Sequence, residues 1–395
     1  MRVLLAGAGI GGLTAALALT RRGVEVTVIE ASSLLGELGA GLQLSPNATS
    51  VLFALGLEAS LREIAFAPEA AEVFDRRSDR RLLRTELGAS AQARWGAPYL
   101  QVHRADLHAL LLAAVSDSGV DVQCGVRVIA VSQDAQAVVA EVESPTGAGS
   151  LQADALIGCD GIRSVVRAEL WGEQPARYTG QMAWRALVPA GRLPPGRVAP
   201  SAMVWTDLGR HLVHYPIRGG ALINLVGVVA QRDPPAESWA EPGEVAAFAA
   251  DFAGWPQPVS TLIAGVDTVW RYAIHDRPSL PVWSKGRVSL LGDAAHPAPP
   301  FLAQGAGMAI EDAEALARRL SASGSIVAAL QAYEAERRPR TAKVAAWSRR
   351  NAHLFHLPSP LAQGLFGAAR LAGGPGPQAA QARFDWLYGY RPESF

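Results

Sequence analysis

Val3-Leu4-Leu5-Ala6-Gly7-Ala8-Gly9-Ile10-Gly11-Gly12 begins as a short apolar run and enters a glycine turn at once. Leu13–Arg22 follows with helical composition, and then the β-branched run Val24–Ile29, closed by Glu30. A strand, a turn, a helix and a second strand within about 30 residues make the size of a parallel βαβ crossover. Gly7 permits the tight turn, Gly9 lets backbone approach a pyrophosphate, and Gly12 lets the helix pack close to the strand. The pyrophosphate would sit at the positive end of the helix. Glu30 lies 18 residues beyond Gly12, where a carboxylate can accept hydrogen bonds from an adenosine ribose. With 39 glycines in the chain, the pattern takes its meaning from the strand, helix and acid around it. It does not separate NAD from FAD. Gly373-Gly374-Pro375-Gly376 lacks a preceding strand, so one dinucleotide has one dedicated site.

Further along, Ala153–Gly158 reads as a buried strand leading into Cys159-Asp160-Gly161, and Arg287–Leu291 as another leading into Gly292-Asp293-Ala294-Ala295-His296. Both end in a turn followed by helix-like sequence, as a doubly wound sheet requires. Glu69–Leu87 and Tyr178–Ala273 have another texture, rich in Val, Trp, Tyr and Pro with repeated turn residues. They read as antiparallel strands of a second sheet, inserted in two pieces. Ala309, Ile310, Ala313, Leu316, Ala317 and Leu320 recur on one face of a helix over Met308–Leu320, and Ile326–Asn351 continues helical. The expected fold class is α/β: a doubly wound, Rossmann-like FAD-binding domain (1–68, 100–175 and 276–325), an inserted antiparallel-sheet substrate domain (69–99 and 176–275) and a C-terminal helical segment (326–395).

The composition narrows the function. Hydrophobic residues at 49% and charged residues at 18% suit a large globular enzyme. Lys plus Arg and Asp plus Glu are both 36, which argues against a general nucleic-acid binder. Cys124 and Cys159 have no metal-ligand spacing and read as free thiols of a reducing compartment. The opening residues leave no room for a signal-peptide core, and apolar stretches such as Ala109–Val115 and Ala221–Ala230 are too short to span a bilayer. Cytoplasm is the expected location, with no metal, nucleic-acid or membrane partner, in a monomer or homodimer.

Three motifs in order carry a family resemblance: the glycine turn, the run from Gly158 to Arg167 (Gly-Cys-Asp-Gly-Ile-Arg-Ser-Val-Val-Arg), and Gly292-Asp293-Ala294-Ala295-His296-Pro297. With them the chain resembles a class A flavoprotein monooxygenase of the para-hydroxybenzoate hydroxylase fold, nearest to the salicylate, 3-hydroxybenzoate and 6-hydroxynicotinate hydroxylases. The likeness runs down to the closing Phe384-Asp385-Trp386-Leu387-Tyr388-Gly389-Tyr390. It implies FAD as cofactor, NADH or NADPH as transient co-substrate, and O2 as the oxygen source for a flavin C4a-hydroperoxide. It puts Asp293 at the ribitol and diphosphate, Arg104 at the diphosphate, and Asp160 in a loop near both FAD and the nicotinamide site. A guanidinium suits bidentate phosphate contact, and Asp293 can equally cap a helix. Pro299-Pro300-Phe301-Leu302-Ala303-Gln304-Gly305-Ala306-Gly307 precedes a helix whose positive end would face a reduced, anionic flavin, with Gly305 and Ala306 close to the ring.

Electrophilic oxygen needs an electron-rich ring, so a base or acceptor is expected near the substrate hydroxyl. In His211-Leu212-Val213-His214-Tyr215-Pro216, strand alternation puts His211, Val213 and Tyr215 on one face and His214 on the other. The spacing resembles substrate-site residues of the hydroxynicotinate and 3-hydroxybenzoate enzymes. His211, with a reference pKa of about 6.5, is the candidate base, and Tyr215, about 13 Å along the strand, the orienting group. Phe301 and Gln43 stand where the hydroxynicotinate enzyme carries histidines. An apolar Phe301 beside Pro300 favours a benzoate-like ring. Arg185 is a candidate for the substrate carboxylate or for a structural role, and Gln43 for the substrate or the flavin floor. The expected activity is hydroxylation of a phenolic acid. The alternatives are a hydroxypyridine carboxylate such as 6-hydroxynicotinate, a non-oxygenating FAD oxidoreductase, and an FAD-binding redox sensor.

Overall fold

A computed structural model describes residues 1–36, 40–194, 196, 198–233, 241–372 and 377–393. Five parallel strands run edge to edge as Val288–Leu290, Ala155–Gly158, Arg2–Ala6, Glu25–Glu30 and Asp121–Cys124, with the short Ser284–Lys285 antiparallel at one edge. The chain enters at the centre, winds outward to Asp121–Cys124, and then returns to build the other half from Ala155. The direction of winding reverses between Arg2–Ala6 and Ala155–Gly158. At such a reversal the connections leave the carboxyl ends of neighbouring strands in opposite directions and open a crevice. Val3, Leu4, Leu5 and Ala6 are buried, the pattern of a parallel strand covered on both faces.

The glycine turn fills the floor of that crevice. Gly7 has φ +116°, and a Cβ there would lie 2.5 Å from the carbonyl oxygen of Cys159. A Cβ on Gly12 would lie 1.9 Å from the carbonyl oxygen of Gly7, so no other residue lets the helix Ile10–Arg21 sit this close to the strand. The helix Gly305–Ala322 packs beside it, where a Cβ on Gly11 would come within 3.1 Å of Ala309.

The second sheet has eight strands drawn from two stretches of chain, Ala70–Glu86 and Arg177–Asp276. Its order is Glu241–Gly243, Val269–Asp276, Arg177–Pro189, Leu222–Ala230, Arg210–Ile217, Ser201–Asp207, Ala70–Asp75 and Arg80–Glu86. All pairs are antiparallel except one seam: Ser201–Asp207 runs parallel to Ala70–Asp75 and joins the two stretches. Two helices, Val245–Asp251 and Gln257–Ala264, cover its far face with Phe248, Leu262 and Ile263.

The 29-residue helix Ile326–Leu354 ties the pieces together. Arg337, 1% exposed, donates to Asp312 at 2.7 Å and pairs with Glu311 at 2.7 Å. Asp312 also accepts from the backbone N–H of Gly292 at 3.1 Å and meets His296 at 2.5 Å. Asn47 and Arg340 complete the coordination of Glu311. Each buried charge is thus paired and hydrogen-bonded, the condition under which burial is tolerated. Burial would raise the carboxyl pKa of Asp312, but His296 and Arg337 outweigh it and hold the group at about 2. Its contribution to stability is present above the ordinary carboxylate pKa and is lost as pH falls through about 2. Among the described residues, no helix is long and apolar enough to cross a membrane.

Replacing Arg337 by Met should cost about 3–5 kcal/mol, because two buried carboxylates lose their cation. Urea unfolding at neutral pH measures this, and an unchanged midpoint would show that the cluster contributes no stability.

Candidate active site

A cavity of about 780 Å³ lies over the strand reversal and extends to the inner face of the eight-stranded sheet. Gly9, Arg104, Asp293, Gly305 and Ala306 line one end. Arg185, His211, Tyr215 and Phe301 line the other, with Pro300 and Gln43 between. Gly7 and Gly12 are not among the lining residues; they shape the turn from below. Glu30 and Asp160 are not among them either. Glu30 grips the turn, accepting from the N–H of Ala8 and of Ser32, both at 2.8 Å. Asp160 turns one oxygen to the N–H groups of Val165 and Val166, at 2.7 and 3.2 Å, and so supplements the N-cap Ser164 of the helix Val165–Trp171, whose side chain accepts from the Arg167 N–H. Its other oxygen is buried with no hydrogen-bond partner among the described residues.

Sheet register sets the far wall. Arg185, Val226, Val213 and Val204 are consecutive ladder partners and share a face. The adjacent row is Tyr272, Ala183, Val228 and His211, and the row on the other side contains Leu187, Asn224, Tyr215 and Ala202. His214 points to the opposite face, where Trp205 Nε1 donates to it at 3.2 Å. Arg185 therefore stands two strands from His211 and one row away, about 10 Å across and about 7 Å along the sheet. Its guanidinium lies 5.7 Å from the ring centre of Tyr272, and among the described residues no carboxylate pairs with it. The glycine at 41 lets a neighbouring strand come in: its N–H donates to Asn224 at 2.7 Å, and a Cβ would be 2.7 Å from the Tyr215 ring. Gln43, on that strand, accepts from the Tyr99 hydroxyl at 2.6 Å. Burial pushes the Tyr215 phenol pKa up, so it remains protonated.

His211 is 2% exposed, with the rings of Phe301 and Phe355 centred 5.6 and 5.3 Å from its own. Its Nδ1 is 2.8 Å from Nε2 of His356. Burial, and then the neighbouring His356, hold its pKa well below the ordinary 6.5. The sequence reading gave His211 the ordinary pKa of a free histidine; in place it is a neutral imidazole. The loop carrying Phe301 is braced by the long helix: Asn351 donates to the Phe301 carbonyl at 3.0 Å and Ser348 to that of Pro299. Ala303 closes the loop with φ +52°, a strained value for a residue with a Cβ.

At the other end, two long helices point uncapped first turns into the cavity. Neither Gly9 nor Gln304, the residues that start Ile10–Arg21 and Gly305–Ala322, supplies a side-chain cap. Their free N–H groups and positive dipole ends make an anion site. Arg104 and Asp293 face the same space. Burial raises the Asp293 pKa, and His296 and Arg104 oppose the rise, which puts a guanidinium within electrostatic reach of that carboxylate.

A family model described as an FAD binding domain matches residues 1–348. The chain belongs to this family, among the class A flavoprotein monooxygenases. It is 37% identical over 398 residues to the 3-amino-4-hydroxybenzoate 2-monooxygenase of Streptomyces platensis, covering 98% of this chain and 96% of that one. It is 35% identical over 401 residues to the 3-hydroxybenzoate 6-hydroxylase of Klebsiella oxytoca, covering 100% and 98%. A solved structure of HpxO from Klebsiella pneumoniae, complexed with FAD and uric acid, superposes with a TM-score of 0.84 at 30% identity, covering 98% of this chain and 97% of that one.

The cavity suits the flavin of such a monooxygenase. A Cβ at Gly9 would meet nothing within 4 Å, so the backbone there is open to a ligand, and two helix ends with Arg104 supply donors for a diphosphate. Sequence reading did not find Tyr99 or Tyr272 in the cavity wall, nor His356 and Gln181 behind His211. His356 falls between the helical reading that stops at Asn351 and the Pro358 tail, and nothing local marks it.

The two glycines of the turn should separate by experiment. Gly12→Ala must displace the Gly7 carbonyl and should destabilise the apoprotein by about 1–3 kcal/mol or more. Gly9→Ala has room in the apoprotein and should melt like wild type, yet bind FAD about 10- to 100-fold more weakly, because the Cβ enters the ligand's space. Apoprotein melting and flavin-fluorescence titration read the two effects; indistinguishable variants would contradict this assignment.

Proposed function

We propose that this monooxygenase hydroxylates a phenolic aromatic acid, with NADH or NADPH as reductant and O2 as the second substrate. The observation that carries this is a single sheet face on which Arg185, with no carboxylate partner among the described residues, and His211 flank an apolar surface of Val213, Val226 and Val228. When bound, FAD supplies the exchange of electrons with the nicotinamide and the activation of oxygen. The protein supplies the rest.

Arg185 is placed to hold the substrate carboxylate, since a guanidinium offers it two parallel hydrogen bonds. Phe301 and the valines take the ring, and their apolar character favours benzene over pyridine. His211, neutral, accepts a hydrogen bond from the ring hydroxyl and draws its proton, which makes the carbons ortho and para to that oxygen electron-rich. Tyr215, which burial keeps protonated, has a hydroxyl proton to donate and orients the ring. The N–H groups of Gly305 and Ala306 at the head of their helix would stabilise negative charge on a bound flavin.

A panel of hydroxybenzoates and hydroxypyridine acids should show hydroxybenzoates stimulating NAD(P)H oxidation, with oxygen recovered in the product. Arg185→Met should raise KM for the productive acid about 10- to 150-fold, the worth of a charge-assisted hydrogen bond. His211→Ala should slow hydroxylation about 100-fold or more and divert oxygen to peroxide while FAD stays bound. No stimulation by any acid would refute the functional reading; an unchanged KM or an unchanged product yield would remove the residue concerned.

A further inference from the structure

Burial sets a problem at His211. An imidazolium there would be a charge in an apolar surround with no carboxylate hydrogen-bonded to either ring of the pair among the described residues. A neutral imidazole avoids that charge if it takes a proton on one nitrogen while releasing one from the other. The second nitrogen has a partner for the purpose. Nδ1 of His211 is 2.8 Å from Nε2 of His356, and Nδ1 of His356 is 2.9 Å from the side-chain amide nitrogen of Gln181. His356 is only partly buried and is not among the residues that line the cavity, so it is the member of the pair within reach of solvent.

The geometry points to a proton exit in which His211 and His356, with Gln181 beyond them, carry the substrate's hydroxyl proton from the cavity to solvent. This rests on the role given to His211 above. The substrate O–H bond breaks as an N–H bond forms at Nε2 of His211. The N–H bond at Nδ1 of His211 breaks as one forms at Nε2 of His356. The N–H bond at Nδ1 of His356 breaks and its proton passes to water. One proton enters, one leaves, and neither ring ends with a net charge. His356 is thus a positioning and relay residue that never touches substrate.

Gln181 can serve both ends of the cycle. Its side-chain amide stands 2.9 Å from Nδ1 of His356; with its carbonyl turned there it accepts from Nδ1–H before transfer, and with its N–H there it donates to the bare Nδ1 afterwards. The groups around the pair come from three other places in the fold: Gln181 on strand Arg177–Pro189, Phe301 on the proline loop, and His353 in the last turn of helix Ile326–Leu354. His353 is the other titratable group whose charge bears on His356. Burial together with His353 holds His356 at about 4, so the wire is neutral at rest near neutral pH.

The test is single-turnover hydroxylation of 3-hydroxybenzoate, or of whichever phenolic acid wild type turns over best. Reduced holoenzyme is mixed with oxygen from mildly acid to alkaline pH, and product and peroxide are both counted. His356→Phe should slow hydroxylation about 10- to 100-fold near neutral pH, recover toward alkaline pH, and be rescued by imidazole in the buffer. FAD content and KM for the acid should hold. His356→Gln, which keeps a hydrogen bond but cannot shift a proton from one ring nitrogen to another, should behave the same way if the Phe variant does not fold, and Gln181→Leu should show a smaller loss in the same direction. Wild-type rate and pH profile in His356→Gln would overturn the exit while leaving the functional reading intact. Absence of turnover with every phenolic acid in wild type would overturn the functional reading itself.

Discussion

The contact between Gly12 and the carbonyl of Gly7 is the constraint on which the rest of the structure leans. It brings the first helix against the central strand at the point where the sheet reverses direction, and so aims an uncapped helix end into the crevice. The second helix, Gly305–Ala322, takes its position from the first through the seam at Gly11 and Ala309. The cluster of Glu311, Asp312 and Arg337 then fixes the long helix and the Gly292 turn to that second helix. From the long helix, Asn351 and Ser348 hold the proline loop, and the loop sets Phe301 against His211. A methyl group at position 12 would therefore be felt at the substrate wall.

The electrostatics of the cavity follow one theme, the handling of anions. A diphosphate, a reduced flavin, a carboxylate and a phenolate each carry negative charge in the proposed reaction. In the proposed reaction separate donors would meet them: two helix ends and Arg104 at one end, Arg185 at the other. Beside Arg185 on the same sheet face lies a stretch kept neutral, where His211 is held below its ordinary pKa and Tyr215 above its own. Positive charge there would compete with Arg185 for the acid. A neutral histidine that passes its proton onward serves the chemistry without that competition.

The features legible in the sequence were those with a local physical signature. The glycine turn is readable because only glycine tolerates such approach and such φ, and the placement of His211, Val213 and Tyr215 on one face follows from the two-residue period of a strand. The acid after the second strand reads in the sequence as an acceptor for an adenosine ribose; in the structure its oxygens accept from the backbone N–H groups of Ala8 and Ser32. What stayed hidden depends on pairing between distant segments. The parallel seam between Ala70–Asp75 and Ser201–Asp207 leaves no mark on either run of residues. His356 meets His211 across 145 residues of chain, and no periodicity announces it. The cap that Asp160 provides is visible only once Val165 and Val166 have folded back onto it.

A crystal structure of the holoenzyme with 3-hydroxybenzoate bound tests the account most directly. The account predicts FAD with its diphosphate between the two helix ends, the acid's carboxylate on Arg185, and its hydroxyl oxygen within hydrogen-bond distance of Nε2 of His211. An acid bound the other way round, with its carboxylate at His211 and its hydroxyl toward Arg185, would contradict it.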